Sequence, residues 1–211
     1  MAAKGHRIVF IGTKKQAKPI LQAEAQHAKM PYVINRWLGG TLTNFQTIKV
    51  NIDRMLELRT QQADGFFERI SKKDAKRFSK QLERLEEHFE GLAELDRLPA
   101  CLFVVDIKRE EIAVREANRL NIPIVALCDT NADPDLIAYP IPGNDDAIRS
   151  IKLIVSLIAG SAIAGRQRFE AGQAQVQALA QEQAAAVAAN GQGAEGAVPA
   201  QEPQSHDDKK E

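Results

Sequence analysis

At 211 residues, 44% of them apolar and only 5% aromatic, the chain is long enough for one sizeable α/β domain plus an appendage. Its formal net charge is zero, which taken alone argues against a nucleic-acid partner, but the average hides a gradient. Residues 1–50 carry eight Lys and Arg against Glu24 alone, whereas residues 101–150 carry five basic and nine acidic groups, an asymmetry that points to a polyanion partner better than the total does.

In chain order, short apolar runs at Arg7–Thr13, Tyr32–Arg36, Cys101–Asp106, Ile122–Thr130 and Ala138–Gly143 read as strands. Continuous runs of this kind suit a parallel sheet covered on both faces. Helical stretches follow the first strand (residues 14–29) and the third (residues 108–121), the latter with Ile112, Val114, Ala117 and Leu120 near helical spacing. That alternation predicts a doubly wound α/β domain with right-handed crossovers.

One segment breaks the rhythm. Between Phe45 and Leu98 no strand is legible. Phe45, Ile48, Ile52 and Met55 recur at 3-4-3 spacing, and Phe78, Leu82, Leu85, Phe89 and Leu92 at 4-3-4-3 spacing, the heptad pattern. With a turn at Asp64-Gly65 the segment reads as an antiparallel α-helical, coiled-coil hairpin over residues 45–98, inserted into an α/β domain of residues 1–170. Its stretch from Arg69 to Lys80 holds Arg69, Lys72, Lys73, Lys76, Arg77 and Lys80 against Asp74 alone. Lys72, Lys76 and Lys80 share one helical face, where like charges repel unless an anion compensates them. Phosphate contact is therefore expected of this run. Residues 171–211 form an Ala/Gln/Gly-rich tail: its first part could prolong a helix, and its last twenty or so residues have no apolar face and are expected to be disordered.

The carboxyl ends of the strands, where open α/β sheets gather ligands, supply Gly12-Thr13-Lys14, Arg36-Trp37, Asp106, Asp129-Thr130 and Pro142-Gly143-Asn144. No phosphate-binding glycine motif is present, and the four histidines (His6, His27, His88, His206) are not placed for catalysis or metal binding. An enzyme or phosphoacceptor reading would need Asp106 and Asp129 to hold Mg²⁺, but capping the next helix or turn is the commoner role, and it is preferred here. Asn144 reads as the cap of the last helix, with Asp145 and Asp146 complementing its dipole. Cys101 and Cys128 lie in apolar runs without metal-ligand spacing and suit small core residues in a reducing compartment. The start lacks a signal-peptide core, and the apolar stretch from Leu153 is too short to span a bilayer, so it reads as a buried helix of a cytoplasmic protein.

The segment RWLGGTLTNF, from Arg36 to Phe45, belongs to neither strand nor helix and packs the only Trp with paired glycines, two Thr and an Asn. Together with FIGTKKQA (Phe10–Ala17), the run from Val104 to Pro134 and IPGNDDAIRSI (Ile141–Ile151), it strongly resembles the bacterial small-subunit ribosomal protein S2 family, in order, from about Gly5 to Arg168. The resemblance implies a flavodoxin-like five-stranded parallel sheet with a long helical hairpin after the second strand, no enzymatic activity and no cofactor or metal. It implies binding to small-subunit rRNA near the junction of head and body, in the cytoplasm. It also implies contact with neighbouring ribosomal proteins, including the large messenger-binding one, and neither a membrane nor a small-molecule substrate.

On that resemblance the loop gains a role. Gly39 and Gly40 would let the backbone approach a phosphate, and Arg36, Thr41, Thr43 and Asn44, with Lys14 and Lys15 beside them, are expected to face RNA along with Lys72, Lys73, Lys76, Arg77 and Lys80. Trp37 could stack on a base or anchor the loop, and the anchor is preferred. Asp129, Asp133, Asp145 and Asp146 are left off the RNA surface, since carboxylates repel phosphate. Relatives in the family carry a further amino-terminal segment with a helix on the sheet, whereas Met1 stands six residues before the first strand. The expectation is that such a segment precedes Met1, and that without it one sheet face is undercovered.

Overall fold

In a computed structural model, which describes residues 1–191, five strands form one all-parallel sheet in the order β2-β1-β3-β4-β5. The strands are β1 (Ile8–Ile11), β2 (Tyr32–Val33), β3 (Cys101–Val105), β4 (Ile124–Cys128) and β5 (Tyr139–Pro142). The helices are α1 (Lys18–Ala28), α2 (Phe45–Ala63), α3 (Phe66–Arg69), α4 (Lys72–Phe89), α5 (Glu111–Arg119) and α6 (Ile148–Gly191). Residues Met1–Phe169 make one compact unit, which includes the sheet, and Glu170–Glu211 a second; α6 is helical through both as far as Gly191, and the expected disorder of the last twenty residues lies outside the described ones. All five predicted strands and the doubly wound topology are present, with strand bounds tighter than the apolar runs.

The sheet is central because β1, β3 and β4 are apolar on both sides. Val9, Ile11, Leu102, Val104, Ile124 and Ala126 point to one face, where Trp37, the lower part of α2 and α4 and the inner side of α5 cover them. Phe10, Phe103, Val105 and Leu127 point to the other, against α1 and α6, with the Phe10 and Phe103 rings meeting edge to face at 5.4 Å. Both faces are thus covered within residues 1–169. This corrects the expectation of an undercovered face: Ile151, Val155, Ala159 and Ala162 of α6 and Ala2 of a short 3₁₀ turn close it. The segment Ile148–Gln177 is long and apolar enough to cross a membrane by length and composition, contrary to the sequence reading, but those four residues seat one side of it on the sheet.

The sheet edges are blunt. β2 has two residues, and β5 alternates Tyr139-Pro140-Ile141-Pro142. Prolines supply no N–H at alternate positions of this outer strand, so it is a poor template for another chain.

The inserted segment comprises α2, the one-turn α3 and α4. Ser71 caps α4 by accepting from the Asp74 N–H at 3.2 Å while donating to Asp74 Oδ2 at 2.7 Å. Ile48, Ile52, Met55 and Leu58 of α2 are buried, as are Leu82, Phe89 and Leu92 on the α4 side, and Phe78 stacks on Phe67 with ring centroids 5.9 Å apart. Side by side, α2 and α4 are joined by Arg59, which donates to Glu86 at 2.8 and 2.9 Å.

Two glycines give a direct test of this packing. A Cβ on Gly91, just beyond α4, would collide with the Tyr32 backbone oxygen and ring, whereas one on Gly160 in α6 would meet nothing within 4 Å. Gly91→Ala is expected to lower unfolding free energy by about 3 kcal/mol or prevent folding, and Gly160→Ala to raise it by about 0.5–1 kcal/mol through helix propensity. Denaturant titration of the two variants measures both.

Candidate nucleic-acid interface

The loop between β2 and α2 is organised from inside. Glu116, in the middle of α5, is 8% exposed, and its carboxylate is ringed by donors from that one loop. Oε1 accepts from the Trp37 indole N–H at 3.1 Å and the Gly40 N–H at 2.8 Å. Oε2 accepts from the Leu42 N–H at 2.9 Å, the Thr43 N–H at 3.0 Å and the Thr43 hydroxyl at 3.1 Å. Gly40 sits at φ 89°, a left-handed turn that glycine adopts without strain and that aims its N–H inward. Burial works against the charge, but the N–H groups of Thr43, Leu42 and Gly40 and the Trp37 indole outweigh it and hold the Glu116 carboxyl below its ordinary value.

A second buried glutamate ties the first strand. Glu110, 3% exposed, accepts from the Thr13 N–H at 3.0 Å and the Thr13 hydroxyl at 2.5 Å, and Thr13 Oγ1 accepts from Arg109 Nε at 2.7 Å. Burial raises its pKa, and the Thr13 bonds and Arg109 offset this only in part. Next to it the Lys14 ammonium lies 2.7 Å from Asp145, 2.6 Å from Asp146 and 3.6 Å from Asp106. Partial burial disfavours that charge, but hydrogen bonds to Asp145 and Asp146 and the charges of Asp145 and Asp106 overcome it and raise the Lys14 pKa above its ordinary value.

Two expected RNA-facing residues are therefore turned inward. Thr41 is 3% exposed and donates to the Leu38 carbonyl at 2.6 Å, and Lys14 is neutralised by carboxylates; Thr43 is exposed although its hydroxyl also donates to Glu116. For Thr41 and Lys14 these are corrections: a backbone carbonyl takes the Thr41 hydroxyl, and carboxylates across the strand ends take the Lys14 ammonium. Trp37 is 5% exposed, its indole on Glu116. Asn44 is exposed and its Oδ1 accepts from the Thr47 hydroxyl at 2.9 Å. Lys15, Arg36 and Gly39 are exposed. Asn144 Oδ1 accepts from the Asp146 and Ala147 N–H groups, both at 2.8 Å, so it shapes the turn before α6, which begins only at Ile148.

Asp106 and Asp129 both accept from turn N–H groups, Asp129 from those of Thr130 at 2.6 Å and Asp145 at 3.3 Å. Asp106, at φ 69°, accepts from the Arg109 N–H at 3.0 Å as a turn cap. The carboxylates that converge within 4.8 Å are Asp129, Asp145 and Asp146, and the Lys14 ammonium bonds two of them.

The unneutralised cations are elsewhere. On α2, Lys49 pairs with Asp53 and Asp96, Arg54 with Glu57, and Arg59 with Glu86. On α4, Lys72, Lys73, Lys76, Arg77, Lys80 and Arg84 are all exposed, and among the described residues none forms an ion pair. Lys73, Lys76, Arg77, Lys80 and Arg84 line one shallow groove with Gln81 and Leu85. Arg84 escaped the sequence reading because the basic run was cut at Lys80; its spacing of four from Lys80 was the available signal. Glu116 escaped it too. Of the four apolar residues at helical spacing in α5, Val114 and Ala117 are buried and Ile112 and Leu120 exposed; Ala113 and Glu116 complete the buried face.

Removing the Glu116 charge should leave several inward-pointing donors unsatisfied. Glu116→Gln is expected to lower stability by about 3 kcal/mol at neutral pH. Because the folded pKa is depressed, the contribution is complete above the ordinary glutamate value of 4.5 and is lost as pH falls through the lower folded value. Glu110, with its raised pKa, acts in the opposite sense. Thermal melts of both chains from neutral pH into acid should therefore converge at low pH; a constant gap, or none at pH 7, would contradict the assignment.

A family model described as ribosomal protein S2 matches residues 1–165. The chain is 54% identical over 169 residues to the small ribosomal subunit protein uS2 of Dictyoglomus turgidum, covering 80% of this chain and 69% of that protein. It is 51% identical over 165 residues to the uS2 of Sorangium cellulosum, covering 78% and 59%. To the uS2 of Oenococcus oeni it is 51% identical over 172 residues, covering 82% and 66%. The chain thus spans some three-fifths to two-thirds of the length of these relatives. They are structural proteins, not enzymes, which sets aside the phosphoacceptor reading of Asp106 and Asp129. The chain belongs to the ribosomal protein S2 family.

Proposed function

We propose that this chain is a structural component of the small ribosomal subunit that binds small-subunit rRNA through the cation row of α4. The observation that carries the reading is the contrast within one hairpin: α2 neutralises Lys49, Arg54 and Arg59 internally, whereas the six cations of α4 have no carboxylate partner among the described residues. Unpaired like charges on one helical face repel each other, and a polyanion relieves that repulsion while releasing its own counterions. Lys15 and Arg36, exposed at the carboxyl end of the sheet, are secondary contacts. On the family resemblance the site lies near the head–body junction, beside the large messenger-binding protein, and the role is support of translation.

The hairpin can hold its row in a fixed position because its base is packed into the sheet domain through Ile48, Ile52, Met55 and Phe89. Long lysines on a rigid helix contact phosphates with little ordering of backbone on binding. Replacing Lys72, Lys76 and Lys80 by Gln should leave the fold intact, since all three are exposed. Co-sedimentation with small subunits through sucrose gradients of rising salt should then fail at lower salt than for the parent chain. A variant that tracks with small subunits identically at every salt concentration would refute the site.

A further inference from the structure

We infer that Asn35 is a positioning residue for rRNA binding: it latches the base of α4 to the end of β2 and so fixes the α4 cations relative to Lys15 and Arg36. This rests on the rRNA-binding reading above and adds what holds its two groups of cations in register. Asn35 Nδ2 donates to the Glu87 carbonyl at 2.7 Å, and Asn35 Oδ1 accepts from the Lys18 ammonium at 3.2 Å. A carboxamide suits both neighbours at once, as a donor to the carbonyl and an acceptor to the cation. Glu87 stands in the last turn of α4, where the final carbonyls lack an intrahelical N–H to accept from. One exposed side chain thus ties together the start of α1, the end of β2 and the end of α4.

The latch lies where the hairpin base would otherwise tilt. The chain just beyond α4 meets β2 at a second point, Gly91 on Tyr32, where a Cβ would come within 2.2 Å of the Tyr32 backbone oxygen. Gly91 contributes no side chain there that could resist rotation. Beside it a cleft of about 310 Å³ opens between residues 29–32 and the hairpin's Arg59, Glu90 and Gly91. Close packing holds an element against tilting, and a cleft leaves it room to move. Asn35 stands three residues beyond Tyr32, so its bond to Glu87 is the contact that a tilt into the cleft has to break. The neighbours of the latch give it a function. Arg36 follows Asn35 directly and Arg84 precedes Glu87 by three residues, and both cations are exposed. Two groups of contacts on one ligand gain affinity from a fixed separation, and lose it when that separation must be restored on binding. Because Asn35 carries no charge, its loss alters the geometry and not the count of cations.

The test measures the affinity of the full chain for small subunits depleted of this protein, across a series of salt concentrations. Asn35→Ala should weaken binding about three- to tenfold, with an unchanged slope of log affinity against log salt. Its denaturant midpoint should stay nearly where it is, since Asn35 is exposed. In a chain with Lys15 and Arg36 both changed to Gln, adding Asn35→Ala should cost less than about twofold, because no second group remains to be positioned. A residue that only supported the fold would cost the same in both backgrounds. Unaltered affinity in Asn35→Ala, an equal loss with and without Lys15 and Arg36, or a large fall in the midpoint would overturn the inference while leaving rRNA binding in place. If the parent chain does not bind the depleted subunits, the inference and the proposed function fall together.

Discussion

One buried carboxylate sets the geometry of this molecule. Glu116 collects the Trp37 indole, three backbone N–H groups and a hydroxyl from a single loop. That loop is the only covalent path from β2 into α2, so the carboxylate determines where the hairpin leaves the sheet. A neutral side chain could not do this equally well, because four N–H donors and a hydroxyl turned inward need an acceptor with several lone pairs, and an ionised carboxylate offers about four. The arrangement makes the loop part of the core. Gly40 and Thr43 are explained by the need to wrap a side chain, whatever else the outer surface touches.

The same logic runs along the carboxyl end of the sheet. In parallel α/β folds this end gathers ligands, since strand ends and helix starts converge there. Here Glu110 closes the turn after β1 through Thr13, and Lys14 bonds the carboxylates that follow β3 and β5. Ion pairs and hydrogen bonds from the chain's own side chains fill the position a phosphate or metal would take in an enzyme of this architecture. On the inserted hairpin, by contrast, the cations of α4 have no carboxylate partner among the described residues. A scaffold that satisfies its own strand ends, and holds its free charge on a helix packed against it at the base, suits a structural partner of a large polyanion.

Much of this was legible in the residues. The strands are short apolar runs, the hairpin shows heptad spacing, and the basic stretch from Lys72 to Lys80 is one-sided; each is a local pattern, and local patterns survive reading. The loop RWLGGTLTNF was recognisable as special, but its donors were assigned to the outside. Glu116 lies some seventy residues further on, in a helix read from Ile112, Val114, Ala117 and Leu120, of which only Val114 and Ala117 are buried. Lys14 was misassigned for a similar reason: its partners Asp145 and Asp146 lie more than 130 residues away, and only the strand order brings them together. Pairings made by topology leave no trace in spacing.

The central claim, that the Glu116 carboxylate and not local turn propensity holds the loop, is read most directly by native-state hydrogen exchange at the Gly40, Leu42 and Thr43 amides. If Glu116 is the acceptor, these three exchange as slowly as the neighbouring sheet amides in the parent chain. In Glu116→Gln they should lose protection together, while Phe10 and Leu102, bonded across the sheet to Pro31 and Pro123, keep theirs after correction for the change in global stability. Rapid exchange of Gly40, Leu42 and Thr43 in the parent chain, or protection that persists without the charge, would contradict the account.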